Sequence, residues 1–302
     1  MSLLFCICVL QMQSQQLPDT TFQIKIKSPA FPFNTGPLVV IDQAHNNHAL
    51  IDENYRPFAS LLRQDGYRVT AIHETFSAVQ LSPAKILIIM NALGVENINN
   101  WKQHGSSAFT EEEIIAVREW VHKGGALLLV ADHMPFPAAA EKLAMEFGIE
   151  FSNGFAVHPD QWGPLVFRRS EHTLLAHPIN NGRNISEQVD SVVTFWGQAF
   201  RVQNKQSAPL LVFSKGVISL HPDTAWRFNE STPSFAVDGW LQGAAMKYGT
   251  GRVVVMGEAG MLSAQITGAN KVPMGMNHRR AKQNPQFVLN VMHWLSGLIP
   301  DQ

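Results

Sequence analysis

The chain alternates between short, continuous apolar runs and stretches with apolar residues at helical spacing. Apolar runs at 37–42, 67–72, 86–90 and 126–130 are typical of strands buried on both faces of a parallel sheet. Helices are predicted between them at 54–65 and 138–147, and in the apolar stripe after Thr110. Thr110 and Glu113 have capping-box spacing, which marks the start of that helix. Four strands alternating with helices predict a doubly wound α/β sheet.

The pattern loosens between about 152 and 243 into short β-like runs, separated by loops rich in Asn, Gly, Pro and Trp. A buried strand returns at 252–256, and Asn284-Pro285 begins a final helix with an inward apolar stripe. We therefore predict one α/β domain over 22–302. Its sheet is expected to be mostly parallel, with an irregular β-rich insertion at about 152–243 packed on it.

The N-terminus differs in composition from the rest of the chain. Both cysteines, Cys6 and Cys8, lie in an apolar run at 3–10 that is followed by polar residues. This pattern indicates a signal peptide at 1–16 and a periplasmic or secreted protein, or else an ordinary apolar N-terminus, since no Lys or Arg precedes the run. Cleavage would leave no thiol for catalysis or metal binding. The run is too short to span a bilayer, so no transmembrane span is expected in the mature protein.

Composition and missing motifs narrow the possible partners. Charged residues make up 16% of the chain and the formal net charge is −1, so there is no electrostatic basis for nucleic-acid binding. The sequence has no GxGxxG after its first strand, no GxxxxGK[ST] loop and no GxSxG elbow. The absence of these motifs argues against binding of a dinucleotide or a nucleoside triphosphate and against serine-hydrolase activity. A small-molecule or oligosaccharide substrate is expected instead.

Polar residues follow the predicted strands, which is where open α/β sheets bind ligands. These residues are Asp42, His45, Asn46, His48, Asn91, Asp132, His133 and Glu258. If the strands are adjacent, the side chains converge on one crevice. Each residue alone also has a structural explanation, because Asp after a strand often caps a turn and loop histidines are often only hydrogen-bonded. Glu258 is flanked by Gly257 and Ala259-Gly260, which suggests room for a ligand.

Two chemistries fit these residue types. In the first, which needs no cofactor, His45 or His133 is the general base and Asp132 or Glu258 is the acid or orienting group. In the second, His45, His48, Asp132 and His133 bind a divalent ion, for which zinc suits the N and O ligands. The sequence has no HExxH-type motif, so we favour the metal-free chemistry.

Substrate binding is assigned to the remaining strand-end residues and to the irregular region. The strand-end residues are Asp42, Asn46, His48 and Asn91. In the irregular region and near the C-terminus, Trp196 can stack on a sugar ring, and Arg168 or Arg279 can bind a carboxylate. The alternative is that the tryptophans pack the insertion and the arginines are solvated.

Three segments carry a family resemblance: 111–134 (EEEIIAVREWVHKGGALLLVADHM), 251–261 (GRVVVMGEAGM) and the closing helix at 284–297. They resemble the class I glutamine amidotransferase-like superfamily, and within it the trehalose-utilisation-type branch and related exported domains of unknown function. The resemblance implies a flavodoxin-like three-layer fold. True amidotransferases have a catalytic cysteine after the strand that corresponds to 126–130, whereas this chain has Asp132-His133 there. Glutamine hydrolysis by that route is therefore excluded.

Members of these branches are often associated with sugar utilisation. The predicted function is accordingly an exported carbohydrate-active enzyme, a lyase, dehydratase or hydrolase, whose oligosaccharide substrate contains uronic acid. Asp132 and Glu258 could also be the carboxylate pair of a glycosidase. The competing hypothesis is a non-catalytic sugar-binding, transport or assembly module with the same fold.

Overall fold

The computed structural model describes residues 16–102, 105–204, 206–268 and 270–301. Apart from Gln16, the predicted signal peptide lies outside the described residues. The strands are β1 (Gln16–Pro18), β2 (Leu38–Asp42), β3 (Arg68–Ile72), β4 (Ile86–Met90), β5 (Ala126–Val130), β6 (Ile149–Phe151), β7 (Phe155–Val157), β8 (Leu165–Arg168), β9 (Ser191–Thr194), β10 (Phe200–Val202), β11 (Ser207–Val212), β12 (Ile218–Leu220), β13 (Ser234–Ala236), β14 (Leu241–Tyr248), β15 (Gly251–Met256), β16 (Ala264–Thr267) and β17 (Val272–Gly275). The α-helices are α1 (Arg56–Gln64), α2 (Ala78–Leu81), α3 (Glu111–His122), α4 (Phe136–Met145), α5 (Pro178–Asn181) and α6 (Asn284–Ser296).

The predicted strands at 37–42, 67–72, 86–90, 126–130 and 252–256 are confirmed and form a parallel array. Their order across the sheet is β3-β2-β4-β5-β15. From β2 the chain moves to one side of the sheet to form β3, and it then crosses to the other side of β2 to form β4. Where the strand order changes direction in this way, a crevice opens at the carboxyl ends of the two strands, here β2 and β4. The loops after these strands therefore reach a common edge of the sheet.

The central sheet has nine strands, and the four beyond β15 are antiparallel, so the sheet is mixed. The expectation of a mostly parallel sheet is correct only for its first five strands. A two-residue turn at 249–250 joins β14 to β15, and so short a turn can join only antiparallel strands. β10 and β11, from the irregular region, extend this sheet, whereas β8–β9 and β13–β12–β7 form small antiparallel sheets of their own. A further antiparallel sheet has the order β1–β16–β17.

Apolar layers cover both faces of the parallel array. In β4, Ile88 packs in the layer that contains α1 and α6, whereas Leu87 and Ile89 pack in the layer that contains α3 and α4. This alternation explains the continuous apolar runs, because a strand covered on both sides has no polar face. No helix in the described ranges is both long enough and apolar enough to cross a membrane.

The capping box of α3 is confirmed. The Thr110 hydroxyl accepts a hydrogen bond from the Glu113 backbone N–H (3.3 Å), and the Glu113 carboxylate accepts one from the Thr110 N–H (3.0 Å). The helix predicted at 138–147 begins two residues earlier, with Pro137 in its first turn, where proline costs no intrahelical hydrogen bond. α3 is thus fixed at its N-terminus, where Glu113 also contacts the segments that follow β2 and β3.

Candidate functional site

The polar residues after the strands form two groups. The first surrounds His45, whose ring is buried between two carboxylates. His45 Nδ1 lies 2.7 Å from Asp42 Oδ1, and His45 Nε2 lies 2.8 Å from Glu113 Oε1. Phe76 and Phe109 contact the ring, with centroid distances of 4.6 and 4.7 Å. His45 therefore ties the loop after β2 to the start of α3.

The charge on His45 follows from these contacts. Burial alone would lower the pKa of His45, but the hydrogen bonds and negative charges of Asp42 and Glu113 outweigh burial and raise the pKa. The ring is then an imidazolium that donates from both nitrogens. Neither nitrogen is free to accept a proton from a substrate or to bind zinc, so the geometry gives His45 a positioning role rather than the predicted catalytic or metal-ligating one.

His45→Gln gives a pH-dependent test of this ion triad. Because the folded-state pKa of His45 is raised, its stabilising contribution is complete below the unfolded-state pKa of about 6.5 and is lost as pH rises through the folded-state value. We expect the difference in unfolding free energy between wild type and His45→Gln to shrink from about pH 6.5 upward. Urea denaturation across this range measures it, and a difference that stays constant or grows would contradict the assignment.

The second group contains Asp132 and Glu258, two neighbouring carboxyl groups. Glu258 is 1% exposed, and its oxygens accept hydrogen bonds from the backbone N–H groups of Gly260 and Met261. Asp132 is 9% exposed and accepts hydrogen bonds from the N–H groups of His133 (2.8 Å) and Ala259 (3.3 Å). Gly260, two residues after Glu258, is needed for packing, because a Cβ at this position would lie 2.6 Å from Glu258 Oε1. The flanking small residues therefore accommodate the Glu258 carboxyl group itself.

Burial and the nearby charge of Asp132 raise the pKa of Glu258 well above its usual value, against the effect of its backbone hydrogen bonds. Glu258 is therefore the carboxyl group that keeps its proton. The buried position of Tyr55, together with the nearby Asp132 and Glu258, raises the pKa of the Tyr55 hydroxyl. Glu258, as a proton donor, thus lies beside Asp132 at the ends of β5 and β15.

His133 presents a free imidazole nitrogen next to this pair. Its Nδ1 lies 2.7 Å from the backbone oxygen of Met134, and a carbonyl oxygen can only accept, so Nδ1 carries the proton. Burial lowers the pKa of His133, although Asp132 and the Met134 carbonyl act in the opposite direction. The ring is therefore neutral with its lone pair on Nε2, and Nε2 bonds to nothing in the part of the chain that the structure describes.

Aromatic rings surround His133 and extend to the surface. The His133 ring stacks on Phe155 with a centroid distance of 4.6 Å and an interplanar angle of 11°. Trp226 contacts both His133 (4.6 Å) and Phe155 (4.9 Å) and is 44% exposed. Trp196 contacts Trp226 (5.6 Å) and Trp162 (5.3 Å), and Trp162 is 64% exposed. Indole faces thus lead from solvent to Asp132 and His133.

Several residues at the strand ends and in the aromatic group have positive φ angles. Trp196 and Trp226 have φ angles of 79° and 66°, in the left-handed region that bulky side chains rarely adopt. Asn46 and Asn91 also have positive φ angles, of 50° and 49°. Such conformations persist only where the surrounding structure holds them, and they cluster at functional sites.

The predicted substrate-binding residues fall in different places. The His48 ring contacts Trp101 at 5.3 Å. Desolvation by the surrounding residues and the nearby His133 lower the pKa of His48, against the effect of Asp132. Asn91 is buried, and its side-chain oxygen accepts a hydrogen bond from the Asp132 N–H (3.0 Å). Asn46 is exposed and donates to the Leu93 carbonyl oxygen (3.3 Å). Of this set, Asn91 holds the backbone of Asp132, and His48 is close enough to His133 and Asp132 to interact with them electrostatically.

Three other predicted substrate-binding residues have their own surroundings. Asp42 is fully buried and is bound by His45 and by the Asn47 amide (2.9 Å), so it belongs to the His45 group. Arg168 forms an ion pair with Glu171 (3.0 Å) and lines a separate cavity. Arg279 is exposed. Trp196 alone of the residues predicted from the irregular region and C-terminus lies in the aromatic group around His133.

Sequence reasoning missed several residues of the site. Tyr55, Trp101 and Phe155 were not assigned to it, and Glu113 was seen only as a helix cap. Tyr55 and Glu113 lie inside predicted helical segments, and no local pattern shows that each faces a strand end. Among the described residues, no group of three or more His, Cys, Asp or Glu side chains is arranged to hold a metal ion.

Comparison with protein-family models finds no match, and comparison with curated proteins finds none either. Solved structures with a similar fold include the mmIFT52 N-terminal domain, at a TM-score of 0.59 and 14% identity, covering 85% of this chain and 97% of that chain. A putative ThuA-like protein from Bacteroides uniformis ATCC 8492 is similar at a TM-score of 0.45 and 14% identity, covering 90% and 94%. Cytoplasmic Protein STM1381 from Salmonella typhimurium LT2 follows at 0.47 and 13%, covering 88% and 99%. At 14% identity, the likeness to the mmIFT52 N-terminal domain concerns the fold alone.

Proposed function

We propose that the chain is an exported carbohydrate-active enzyme that uses Asp132, His133 and Glu258 for acid-base chemistry on an oligosaccharide. The observation that carries the proposal is the free Nε2 of neutral His133 beside a carboxyl pair of which one member keeps a proton. A base and an acid with pKa values moved in opposite directions are the two requirements of proton-transfer catalysis near neutral pH.

Elimination fits the burial of these groups better than glycoside hydrolysis does. In a glycosidase both carboxyl groups face the scissile bond, whereas Glu258 is 1% exposed and held by backbone N–H groups. In an elimination, His133 Nε2 takes the proton from carbon, the C–H electron pair forms the double bond, and the C–O bond breaks. The departing oxygen takes up a proton from the carboxyl pair, in which Glu258 is the member that keeps a proton.

The aromatic rings supply the binding part of the proposal. Trp162, Trp196 and Trp226 are partly or largely exposed and adjoin one another. Indole faces stack on the C–H faces of sugar rings, and a row of them fits a chain of sugars better than it fits a single small molecule. Uronic acid residues suit the elimination, because the carboxylate carbon acidifies the neighbouring C–H group.

We further propose membership of the class I glutamine amidotransferase-like superfamily, with a flavodoxin-like core. The order of the five parallel strands, with the first strand between the second and third, is the flavodoxin-like order. Asp132-His133 occupies the turn where true members of the superfamily have their cysteine. The proposal of export rests on the composition of residues 1–16.

The test is a mass-spectrometric product screen of the purified protein against neutral and uronic-acid oligosaccharides. Elimination is expected to give a product or fragment that is lighter by one water than the hydrolysis product, with a new double bond that absorbs in the ultraviolet. Cleavage with uptake of water would indicate a hydrolase instead. Binding without any product would contradict catalysis and favour the non-catalytic module.

A further inference from the structure

A second cavity, of about 260 Å³, lies between the loop after β7, β8, the loop after β11 and the segment that precedes α6. Its polar lining includes His158, Gln161, Arg168, Ser214 and Arg280. The volume is slightly below the range of about 300–1,000 Å³ that holds drug-sized ligands. The cavity is the right size for one sugar ring or a small anion, and it is too small for an oligosaccharide.

The cavity is rich in hydrogen-bond donors. His158 Nδ1 accepts a hydrogen bond from the Asp160 N–H (3.3 Å), so the ring proton is on Nε2. Nε2 faces Gly216, where a Cβ would come within 3.0 Å of it, and this close approach keeps the ring in place. The Ser214 hydroxyl and the Gln161 amide add donors that bond to no other side chain within the described residues.

The charge balance of the cavity is positive. Arg168 is neutralised by Glu171, which is 3.0 Å away and is the one carboxylate in the lining. Arg280 pairs with no carboxylate in the described ranges and is exposed. Arg279 adds to the positive field. The pKa of the adjacent His278 is lowered first by burial and then by the charges of Arg280 and Arg279. A donor-rich cavity with one uncompensated guanidinium favours an anion.

Two connections place the cavity beside the crevice that contains His133. The loop that holds His158 follows β7 directly, and Phe155 at the start of β7 stacks on His133. His278, two residues before Arg280, contacts Phe195 at 5.4 Å, and the backbone of Phe195 bonds to Glu258. One substrate chain can therefore occupy the cavity and reach the reacting groups.

We propose that this cavity binds the carboxylate of an acidic sugar residue, with Arg280 as the principal anchor, at a position along the oligosaccharide away from the reacting bond. The inference rests on the proposed function and defines its substrate class. A guanidinium binds a carboxylate through two parallel hydrogen bonds. His158 Nε2 and the Ser214 hydroxyl donate to the carboxylate lone pairs that Arg280 does not use.

Arg280→Gln tests the inference, and Lys282→Gln is the matched control, since Lys282 is an exposed cation on the same segment that does not line the cavity. Calorimetric titration compares a uronic-acid oligosaccharide with the neutral oligosaccharide of the same linkage. Arg280→Gln is expected to weaken binding of the acidic oligosaccharide by about tenfold or more, the usual effect of losing a charged hydrogen bond. Arg280→Gln should bind the neutral oligosaccharide within about twofold of wild type, and Lys282→Gln should bind both oligosaccharides within about twofold of wild type.

Equal effects of the two substitutions, or equal loss for acidic and neutral oligosaccharides, would overturn the inference. So would failure of the wild-type protein to prefer the acidic oligosaccharide. Turnover in the product screen distinguishes this failure from failure of the proposed function. If the protein prefers the acidic oligosaccharide through Arg280 but does not turn it over, the anion site is supported and the proposed enzymatic function is refuted. If the protein turns over the oligosaccharide without that preference, the enzymatic function is supported and the anion site is refuted.

Discussion

His133→Gln is expected to lower kcat on the oligosaccharide found in the product screen by about 10²–10⁴-fold, the usual contribution of a general base. Glutamine preserves a polar side chain of similar length but cannot accept a proton. The Nε2 lone pair of His133 is oriented by the hydrogen bond from Nδ1 to Met134, and the His133 backbone N–H donates to Asp132, so the neutral imidazole adjoins the carboxyl pair. The measurement is the initial rate at saturating substrate.

The matched control is His73→Gln, because His73 is exposed at the end of β3 and has no place in either polar group. Its kcat should match that of wild type. Circular dichroism of both variants checks that the fold is retained. If His133→Gln keeps more than about a tenth of wild-type kcat, His133 is not the base.

Glu113→Ala is expected to cause the largest loss of stability, about 3–5 kcal/mol in the free energy of unfolding. The Glu113 carboxylate accepts hydrogen bonds from His45 (2.8 Å), from the Phe76 N–H (3.0 Å) and from the Thr110 N–H (3.0 Å). Its removal leaves a buried imidazolium with one carboxylate fewer and also breaks the capping box. Urea denaturation near pH 6, where His45 is protonated, measures the loss at about its maximum.

Glu112→Ala is the control for this substitution. Glu112 precedes Glu113 in the first turn of α3 and is exposed, so it shares the helix-dipole contribution and none of the buried contacts. Its replacement should cost less than about 1 kcal/mol. Equal losses for the two variants would show that the ion triad adds no stability beyond a charge at the helix N-terminus.

The fold was largely predictable because the sequence of each main strand and helix carries its own local pattern. The runs at 86–90 and 126–130 are apolar throughout, since helices cover both of their faces, and the Thr110 capping box needs only its own four residues. The antiparallel half of the sheet was not predictable in this way. β10 and β6 have three residues each, too few for a periodic pattern, and their pairing joins segments far apart in sequence.

The site was predictable as a set of strand-end positions, and less so as a set of roles. Asp132, His133 and Glu258 lie close together because β5 and β15 are adjacent and parallel. His45 occupies a comparable sequence position, yet its role is decided by Glu113, 68 residues away. Sequence shows which residue follows a strand, whereas the proton on His133 Nδ1 and the one on Glu258 depend on contacts across the fold.

The pH dependence of kcat/KM for wild type and His133→Gln tests the central claim most directly. The lowered pKa of His133 predicts that wild-type activity has an acid limb whose midpoint lies below about 6.5, the ordinary pKa of histidine, because activity is lost where the ring becomes protonated. The residual activity of His133→Gln is expected to lack this acid limb. An acid limb with the same midpoint in both proteins would show that another group is the base, and would contradict the assignment of acid-base chemistry to His133 and its carboxyl pair.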